Sequence, residues 1–273
     1  MSGRSIGFES ELMVAALEGA VVEREGYAAA TWPALPTSFE ANILIFERPP
    51  SAGDVTGWEA LYRRAMVFLP EVRHVAFGWE GGEASAAVAA EWEARGYELS
   101  ARAVRVAGEL AQPAEAPDGI SARTLETHAE WDAAADLHVD ATSGPDGVVK
   151  LDGYAEFVEE RMARCRALCD GGAGFWMGAF SGGRLVGSLG VLTDRGRGGL
   201  ARYQLVVTHP HFRRRGVASH LIGAAAALAR ESFGARRLVI SAELGSAADA
   251  LYARLGFAAA PPMHRAIKSP GAA

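Results

Sequence analysis

Cysteine is scarce in this sequence, and a disulfide framework is therefore excluded as the source of its stability. Only Cys165 and Cys169 occur among the 273 residues. The sequence also lacks an uninterrupted apolar segment of about 18 residues, which a membrane-spanning helix would need. Near the N-terminus, Glu9, Glu11 and Glu18 interrupt the apolar stretch that a secretory signal requires. These absences predict a cytoplasmic protein with no membrane partner.

An excess of basic residues is also missing. The formal net charge is −6 and the isoelectric point is about 5.7, which argues against a protein that coats nucleic acid. Three consecutive arginines at 213–215 are confined to one turn, and no interleaved aromatic residues follow them. We therefore predict no nucleic-acid partner.

The composition changes once along the chain, at residues 107–119. This segment, AGELAQPAEAPDG, contains two prolines, small residues and acids, and has no periodic apolar pattern. It predicts a first domain over residues 1–107, a linker over 108–118 and a second domain over 119–273.

The second domain has a regular pattern of helices and strands. Thr127 and Glu130 have the spacing of a capping box at the start of a helix. Helices are predicted over 127–140, 152–169, 217–231 and 247–255, and strands over 119–125, 174–180, 185–193, 200–207, 236–244 and 260–268. The order β-α-α-β-β-β-α-β-α-β predicts an α/β fold with helices on both faces of a sheet.

The first domain has a less regular pattern. Helices are predicted over 9–25 and 54–66, strands over 41–47 and 71–79, and then an alanine-rich helix and a strand. Ala94-Arg95-Gly96-Tyr97 and Arg254-Leu255-Gly256-Phe257 close the two domains with a similar corner. The likeness fits an internal repeat, but any corner of helix, glycine, aromatic residue and strand has the same form.

Residues 207–218, VTHPHFRRRGVA, join a predicted strand to a predicted helix. The first turn of a helix presents unpaired N–H groups and the positive end of the helix dipole, which suit a phosphate. Gly216 lets the backbone approach a ligand closely, and Ala218 keeps the next position small. Arg213, Arg214 and Arg215 add charge that can pair with phosphate oxygens. The loop therefore predicts a pyrophosphate site.

The residues RRRGVA fit the signature Arg/Gln-x-x-Gly-x-Gly/Ala, and with this loop the sequence resembles the GNAT acetyltransferase superfamily. The segment ALYARLGF, residues 250–257, is similar to the closing helix motif of that superfamily. The resemblance covers about 118–268 and implies a mixed, mostly antiparallel GNAT-type sheet flanked by helices. The first half lacks the signature and would be a second, degenerate GNAT-like domain, so one cofactor site per chain is expected. Residues 38–50 are the predicted contribution of that half to the acceptor cleft.

The resemblance implies acetyl-CoA as co-substrate, with no metal. The amides of residues 214–219 would hold the pyrophosphate, and the strand edge at Val206, Val207 and Thr208 would hydrogen-bond the pantetheine arm as an added strand. A backbone N–H near Val207 would polarise the acetyl carbonyl. Tyr252 would be the general acid that protonates the leaving thiolate. The implied cofactor-binding residues are Val206, Val207, Thr208, Arg213, Arg214, Arg215, Gly216, Val217, Ala218 and Ser219.

The sequence departs from this superfamily at two positions. The segment Glu243-Leu244-Gly245-Ser246 stands where many relatives have an asparagine before the closing helix. The strand LARYQLVV carries no carboxylate where many relatives have a glutamate base, and Gln204 cannot accept a proton. Either water relays the proton, or the base is one of the other candidates, His138, Asp136, Asp140, His209 and His211.

Three functions fit these features. The first is acetyl transfer from acetyl-CoA to a primary amine of a small molecule or protein, by a monomer or homodimer. The second uses another acyl-CoA donor, or an amino-sugar acceptor as in mycothiol synthases. The third is an acyl-CoA-binding sensor without turnover. Phe175, Trp176 and Tyr203 would line the acceptor pocket or pack in the core, and the two cysteines are expected to be inert.

Overall fold

The structure is a computed structural model that describes residues 4–110, 115–142, 153–195 and 198–271. Residues 111–114 of the predicted linker and residue 152 of a predicted helix lie outside the described residues. None of the helices in these ranges is both long and apolar enough to cross a bilayer.

The first stretch of the chain forms helices and strands in alternation. They are α1 (Ile6–Glu18), β1 (Ala20–Arg24), β2 (Tyr27–Thr31), β3 (Ile43–Phe46), α2 (Asp54–Ala65), β4 (Val75–Trp79), α3 (Ala86–Glu93) and β5 (Glu98–Ala107).

The second stretch follows the order predicted for it. Its elements are β6 (Ile120–Thr124), α4 (His128–Thr142), α5 (Tyr154–Asp170), β7 (Gly174–Ser181), β8 (Arg184–Thr193), β9 (Leu200–Thr208), a short 3-10 helix (Pro210–Phe212), α6 (Val217–Phe233), β10 (Arg237–Glu243), α7 (Ala247–Arg254) and β11 (Ala258–Lys268). The predicted capping box is present, since the Glu130 amide donates to Thr127 Oγ1 and the Thr127 amide to Glu130 Oε2.

The chain separates into two compact units. One contains Met1–Arg105, Ser241–Ala250 and Ala259–Ala273, and the other contains Val106–Ile240 and Leu251–Ala258. The first unit therefore contains nearly all of the last strand, β11, which pairs antiparallel with β4 from His264 opposite Trp79 to Lys268 opposite Val75. The domain bounds predicted from composition stay a prediction.

The same order of elements, α-β-β-β-α-β-α-β, occurs twice, first from α1 to β5 and then from α5 to β11. The strand directions repeat as well. β1, β2 and β3 run antiparallel and β4 is parallel to β3, while β7, β8 and β9 run antiparallel and β10 is parallel to β9. The predicted fold class, mixed α/β with a mostly antiparallel sheet flanked by helices, is confirmed.

Helices cover both faces of the sheet in the second unit. Neighbouring residues of a strand point to opposite faces. Trp176 on β7 packs against Trp131 of α4, with ring centroids 5.5 Å apart, and Phe175 packs against Phe233 of α6 at 5.4 Å. Phe175, Trp176 and Tyr203 are all buried, so in this structure they belong to the core.

Aromatic side chains form the core of the first unit. The rings of Phe46 and Trp58 stack with centroids 3.5 Å apart, and Phe77 meets Trp58 and Trp92 edge to face. These residues lie on β3, α2, β4 and α3, so one cluster joins two strands to two helices. Edge-to-face aromatic pairs contribute about 0.5–1.5 kcal/mol beyond the area that they bury.

The prediction of one helix over residues 9–25 is wrong. Helix α1 ends at Glu18, and β1 pairs antiparallel with β2 from Ala20 opposite Thr31 to Arg24 opposite Tyr27. Alanine and glutamate favour a helix, and the strands carry little alternation of apolar and polar residues. The ladder with β2, which the local sequence does not indicate, decides the structure here.

Gly190 on β8 is a packing constraint. A Cβ at this position would overlap the ring of Trp176, which is buried and whose Nε1 donates to Ser188 Oγ at 2.8 Å. We expect Gly190→Ala to destabilise the protein by about 1–3 kcal/mol, because the core must shift to admit the methyl group. Urea unfolding measures the loss. The control is Gly57→Ala in α2, where a Cβ meets nothing within 4 Å. The same chemical change should stabilise there by about 0.5–1 kcal/mol.

Candidate functional site

Strand β9 loses one neighbour part-way along its length. It pairs with β10 only at Leu200, Ala201 and Arg202, whereas its ladder with β8 continues to Thr208 opposite Gly187. Residues 200–203 are buried, and residues 204–208 are half-buried. Within the described residues, one edge of the second half of β9 therefore has no strand partner. An extended ligand can pair with such an edge.

A bulge lies at the same place in β9. The register with β8 shifts between Ser188 and Gly190, which are opposite Val207 and Gln204. Leu205 lies inside the bulge with φ of +45°, a left-handed conformation that is strained for a residue with a Cβ. Bulges bend a strand and re-aim its backbone groups. Val206, Val207 and Thr208, the residues predicted for the pantetheine arm, follow this bend.

The loop after β9 has a backbone that few sequences can adopt. Arg214 has φ of +63°, and Gly216 has φ of +80° and ψ of −2° as the N-cap of α6. The amides of residues 214–219 have no acceptor within the described part of the chain. Residues 213–216 are exposed. The loop thus presents backbone N–H groups at the N-terminus of a 17-residue helix, where an anion is favoured.

The arginines of the loop have different surroundings. Arg213 donates from Nε to the carbonyl of Thr208 at 3.3 Å and from Nη2 to the carbonyl of Ala141 at 2.9 Å. Its guanidinium thus holds the end of β9 and the C-terminal turn of α4 together, where a positive charge suits the helix dipole. Arg215 lies over the ring of Phe212 at 5.4 Å.

A loop of the same form occurs in the first unit and is closed by carboxylates. Gly53, the N-cap of α2, has φ of +82° and ψ of −7°, close to the values at Gly216. Its amide donates to Glu91 of α3, at 3.1 Å from Oε2 and 3.3 Å from Oε1. The Ser51 amide donates to Asp54 Oδ2 at 2.7 Å. Side chains of the protein itself therefore fill the position that an anion would take.

Residues 38–50 contribute to the interior of the first unit. Asn42 accepts from the Trp32 amide at 2.8 Å and is buried, and the residues of β3 are buried. An oxygen of Glu40 lies 3.2 Å from the guanidinium of Arg265, a buried arginine that also lies 3.2 Å from Glu11. Burial alone would lower the pKa of Arg265, but these two carboxylates raise it above its ordinary value.

Tyr252 lies on α7 and is buried. Its ring centroid is 6.4 Å from that of Phe257, and Phe257 meets Tyr203 edge to face at 5.9 Å. Tyr203 donates to the carbonyl of Ile222 at 2.9 Å. Burial, and then the neighbouring Tyr252, raise the pKa of Tyr203 far above its ordinary value. Tyr203 therefore stays protonated beside Tyr252.

The N-terminus of α7 is held by side chains that the sequence reasoning missed. Ser246 Oγ accepts from the Asp249 amide at 3.2 Å, and Asp249 Oδ2 accepts from the Gly245 amide at 3.4 Å. Arg105 of β5 donates from Nε to Asp249 Oδ1 at 2.6 Å. The spacing Ser-x-x-Asp is a capping signal that the sequence does carry, but nothing in it points to Arg105, 144 residues earlier.

Two of the five candidates for the general base lie next to the loop and interact with its neighbours. The His211 amide donates to His209 Nδ1 at 3.2 Å, and Arg184 Nη2 lies 2.9 Å from His209 Nε2. Desolvation and the Arg184 charge lower the pKa of His209, while a third candidate, Asp140, acts to raise it, which places Asp140 near this histidine.

The remaining two candidates, His138 and Asp136, lie on α4, as Asp140 does. His138 is half-buried, and burial, followed by the Arg161 charge, lowers its pKa to about 4. Asp136 lines a cavity of about 420 Å³ between α4 and α5, together with Trp131 and Glu159. Throughout the described ranges, three or more His, Cys, Asp or Glu side chains nowhere come together in a group that could hold a metal ion.

The cysteines lie on α5, where Cys165 is buried and Cys169 is half-buried, and they do not form a disulfide with each other. Burial raises the pKa of Cys169 to about 12, which keeps it protonated and unreactive at neutral pH.

Residues 131–257 match the model of the acetyltransferase (GNAT) family. The resemblance predicted from the two motifs is confirmed for this part of the chain. No curated protein matches the sequence.

Solved structures are similar over nearly the whole chain. A functionally unknown conserved protein from Staphylococcus epidermidis has a TM-score of 0.73 and 15% identity, over 93% of this chain and 95% of that chain. A GCN5-related N-acetyltransferase from Kribbella flavida has a TM-score of 0.67 and 18% identity, over 99% and 98%. A tandem GNAT protein from the clavulanic acid biosynthesis pathway has a TM-score of 0.52 and 17% identity, over 93% and 80%. At these identities the likeness shows the fold, and it covers both halves of the chain.

The lowered pKa of His138 predicts a pH dependence of stability. Between about pH 6.5 and pH 4 the unfolded chain binds the proton more readily than the folded chain does, so stability falls as the pH is lowered. From pH 7 to pH 5 the loss from this group is on the order of 1–2 kcal/mol. Urea unfolding at the two pH values should show a smaller loss for His138→Gln. The control His128→Gln removes an exposed histidine of the same helix, and an equal effect of both changes would contradict the prediction.

Proposed function

We propose that the protein transfers an acetyl group from acetyl-CoA to a primary amine of a small molecule or protein, since residues 131–257 match the model of the acetyltransferase (GNAT) family. One observation carries the proposal. Among the described residues, a loop whose amides have no acceptor, with a left-handed glycine at the N-terminus of α6, adjoins a β9 edge that has no strand partner. The first feature suits a pyrophosphate and the second an extended amide chain, and acetyl-CoA contains both.

The loop would hold the pyrophosphate mainly through its backbone. The amides of residues 214–219 are the donors, and Arg214 and Arg215 add charge from exposed positions. Arg213 has another role in this arrangement, because its guanidinium is already bonded to the carbonyls of Thr208 and Ala141. It would fix the end of β9 at the correct distance from the loop.

The edge of β9 would bind the pantetheine arm. Val206, Val207 and Thr208 follow the bulge at Leu205, and their open side faces away from β8. Acetyl-CoA supplies an activated acyl group as a thioester. A backbone N–H near Val207 would stabilise negative charge that develops on the carbonyl oxygen.

Tyr252 would donate a proton to the thiolate as it leaves. A phenol and a thiol have similar pKa values, about 10 and 8.5, so this transfer is close to balanced. The amine must lose a proton before or during attack. Gln204 cannot accept it, and His138, with a pKa of about 4, is a weak base at neutral pH. A water that passes the proton to solvent fits these residues best.

We propose one acyl-CoA site per chain. The corresponding loop of the first unit has the same left-handed glycine, but the carboxylates of Glu91 and Asp54 already accept from its amides. Negative charge at this position repels a pyrophosphate as well as replacing it. The first half would thus be a degenerate GNAT-like domain that binds no acyl-CoA.

Ligand-dependent stability tests the loop. Acetyl-CoA should raise the melting temperature, since a ligand at 100 times its Kd stabilises the native state by about 2.7 kcal/mol. Gly216→Glu should abolish this rise, because the new carboxylate meets the same amides and the position has φ of +80°. Gly234→Glu is the matched control, since Gly234 has φ of +63° at the other end of the same helix. If acetyl-CoA still raises the melting temperature of Gly216→Glu, the assignment of the pyrophosphate to this loop is wrong.

The role of Tyr252 is tested by Tyr252→Phe. The rise in melting temperature with acetyl-CoA should persist, while kcat falls roughly 10²–10⁴-fold, the usual contribution of a general acid. Release of free thiol measures the rate. An unchanged kcat would show that the proton comes from another group.

Thiol release with a panel of primary amines separates an enzyme from a sensor. Turnover with any amine supports the transferase. A stabilising effect of acetyl-CoA without turnover on the whole panel favours an acyl-CoA-binding sensor. If a longer acyl-CoA raises the melting temperature more than acetyl-CoA does, the donor is an acyl-CoA other than acetyl-CoA.

A further inference from the structure

Helix α7 is only eight residues long, Ala247–Arg254, and Tyr252 lies in its second turn. A helix of two turns is not stable by itself, so contacts at its ends fix its position. At the C-terminal end, the Phe257 amide donates to the carbonyl of Tyr252 at 3.1 Å, and Phe257 is buried. This contact holds the backbone of Tyr252 from one side.

At the N-terminal end, Asp249 is the point of attachment. It lies three residues before Tyr252 and therefore on a neighbouring part of the helix surface. The Asp249 side chain is 10% exposed, and the Arg105 side chain that bonds to it is 20% exposed. The hydrogen bond from Arg105, and its charge, lower the pKa of Asp249. Asp249 is thus a buried carboxylate whose charge is balanced by one guanidinium.

We propose that Arg105 is a positioning residue for Tyr252 and acts through Asp249. This inference rests on the proposed role of Tyr252 as general acid. Arg105 lies on β5, a strand of ten residues, so its guanidinium is held by a rigid element. The bond of 2.6 Å ties the first turn of α7 to that strand. A tyrosine that must reach a sulfur atom depends on placement to within about 1 Å, since errors of that size can cost 100-fold in rate.

Removal of the guanidinium leaves Asp249 buried without a counter-charge. The carboxylate then gains stability by turning toward water, and the first turn of α7 must move to let it do so. Substitution of Asp249 by asparagine removes the charge but keeps an oxygen for the Gly245 amide. This variant loses the ion pair with Arg105 and keeps the hydrogen bond from the Gly245 amide, so the two contributions can be measured separately.

The test is a double-mutant cycle on kcat with a productive amine. We expect Arg105→Gln to lower kcat roughly tenfold or more, with the KM for acetyl-CoA unchanged, because β9 and the loop are untouched. Arg105→Lys should restore part of the rate, since it keeps the charge. In the Tyr252→Phe background, Arg105→Gln should have no further effect, because the hydroxyl that it positions is absent.

Asp249→Asn weakens the same bond without leaving a buried carboxylate, so it should lower kcat by less than Arg105→Gln, again with the KM for acetyl-CoA unchanged, and it serves as a second variant if Arg105→Gln fails to fold. Arg230→Gln is the matched control, since it breaks another arginine–carboxylate pair, with Glu109 at 2.7 Å, that does not involve α7. The inference is overturned if the reductions in kcat caused by Arg105→Gln and Tyr252→Phe multiply in the double variant. It is also overturned if Arg105→Gln raises the KM for acetyl-CoA and leaves kcat normal. Either result would disprove the role of Arg105 without contradicting the proposed function. An unchanged kcat in Tyr252→Phe would instead disprove the role of Tyr252 as general acid.

Discussion

Beyond Arg202, β9 has only β8 as a neighbour in the described part of the chain, and the rest of the candidate site depends on this constraint. Backbone N–H and C=O groups need partners, and a strand that keeps only one neighbour leaves half of them unpaired. The bulge at Leu205 lies just beyond the end of the ladder with β10, and the loop of unpaired amides follows the 3-10 helix Pro210–Phe212. A ligand that supplies both an extended amide chain and an anion satisfies both sets of groups.

The two halves show how one backbone can keep or lose a site. Gly53 and Gly216 have nearly the same φ and ψ, and each begins a helix after a strand that is parallel to the next one. The difference is in the side chains. In the first half, Glu91 and Asp54 supply anions from within the chain, whereas the amides of the second half have no such acceptor among the described residues.

Much of the second half could be predicted from the sequence, because its signals are local. The capping box at Thr127 and Glu130, the glycine before α6 and the alternation in β7 to β9 each depend on a few adjacent residues. Contacts between distant residues could not be predicted in this way. The hairpin of β1 and β2, the bond from Arg105 to Asp249 and the contact of Glu91 with Gly53 depend on pairings that no local pattern encodes.

The pairing of β11 with β4 has a consequence for biosynthesis. β4 is complete at Trp79, but the strand that covers its edge is complete only at Lys268. At 5–20 residues per second, the ribosome needs roughly 10–30 s to pass from residue 105 to residue 268. During that time the first part of the chain to be synthesised has an open, largely apolar strand edge, which is exposed to aggregation. The first unit therefore cannot complete its part of the sheet until β11 has been synthesised.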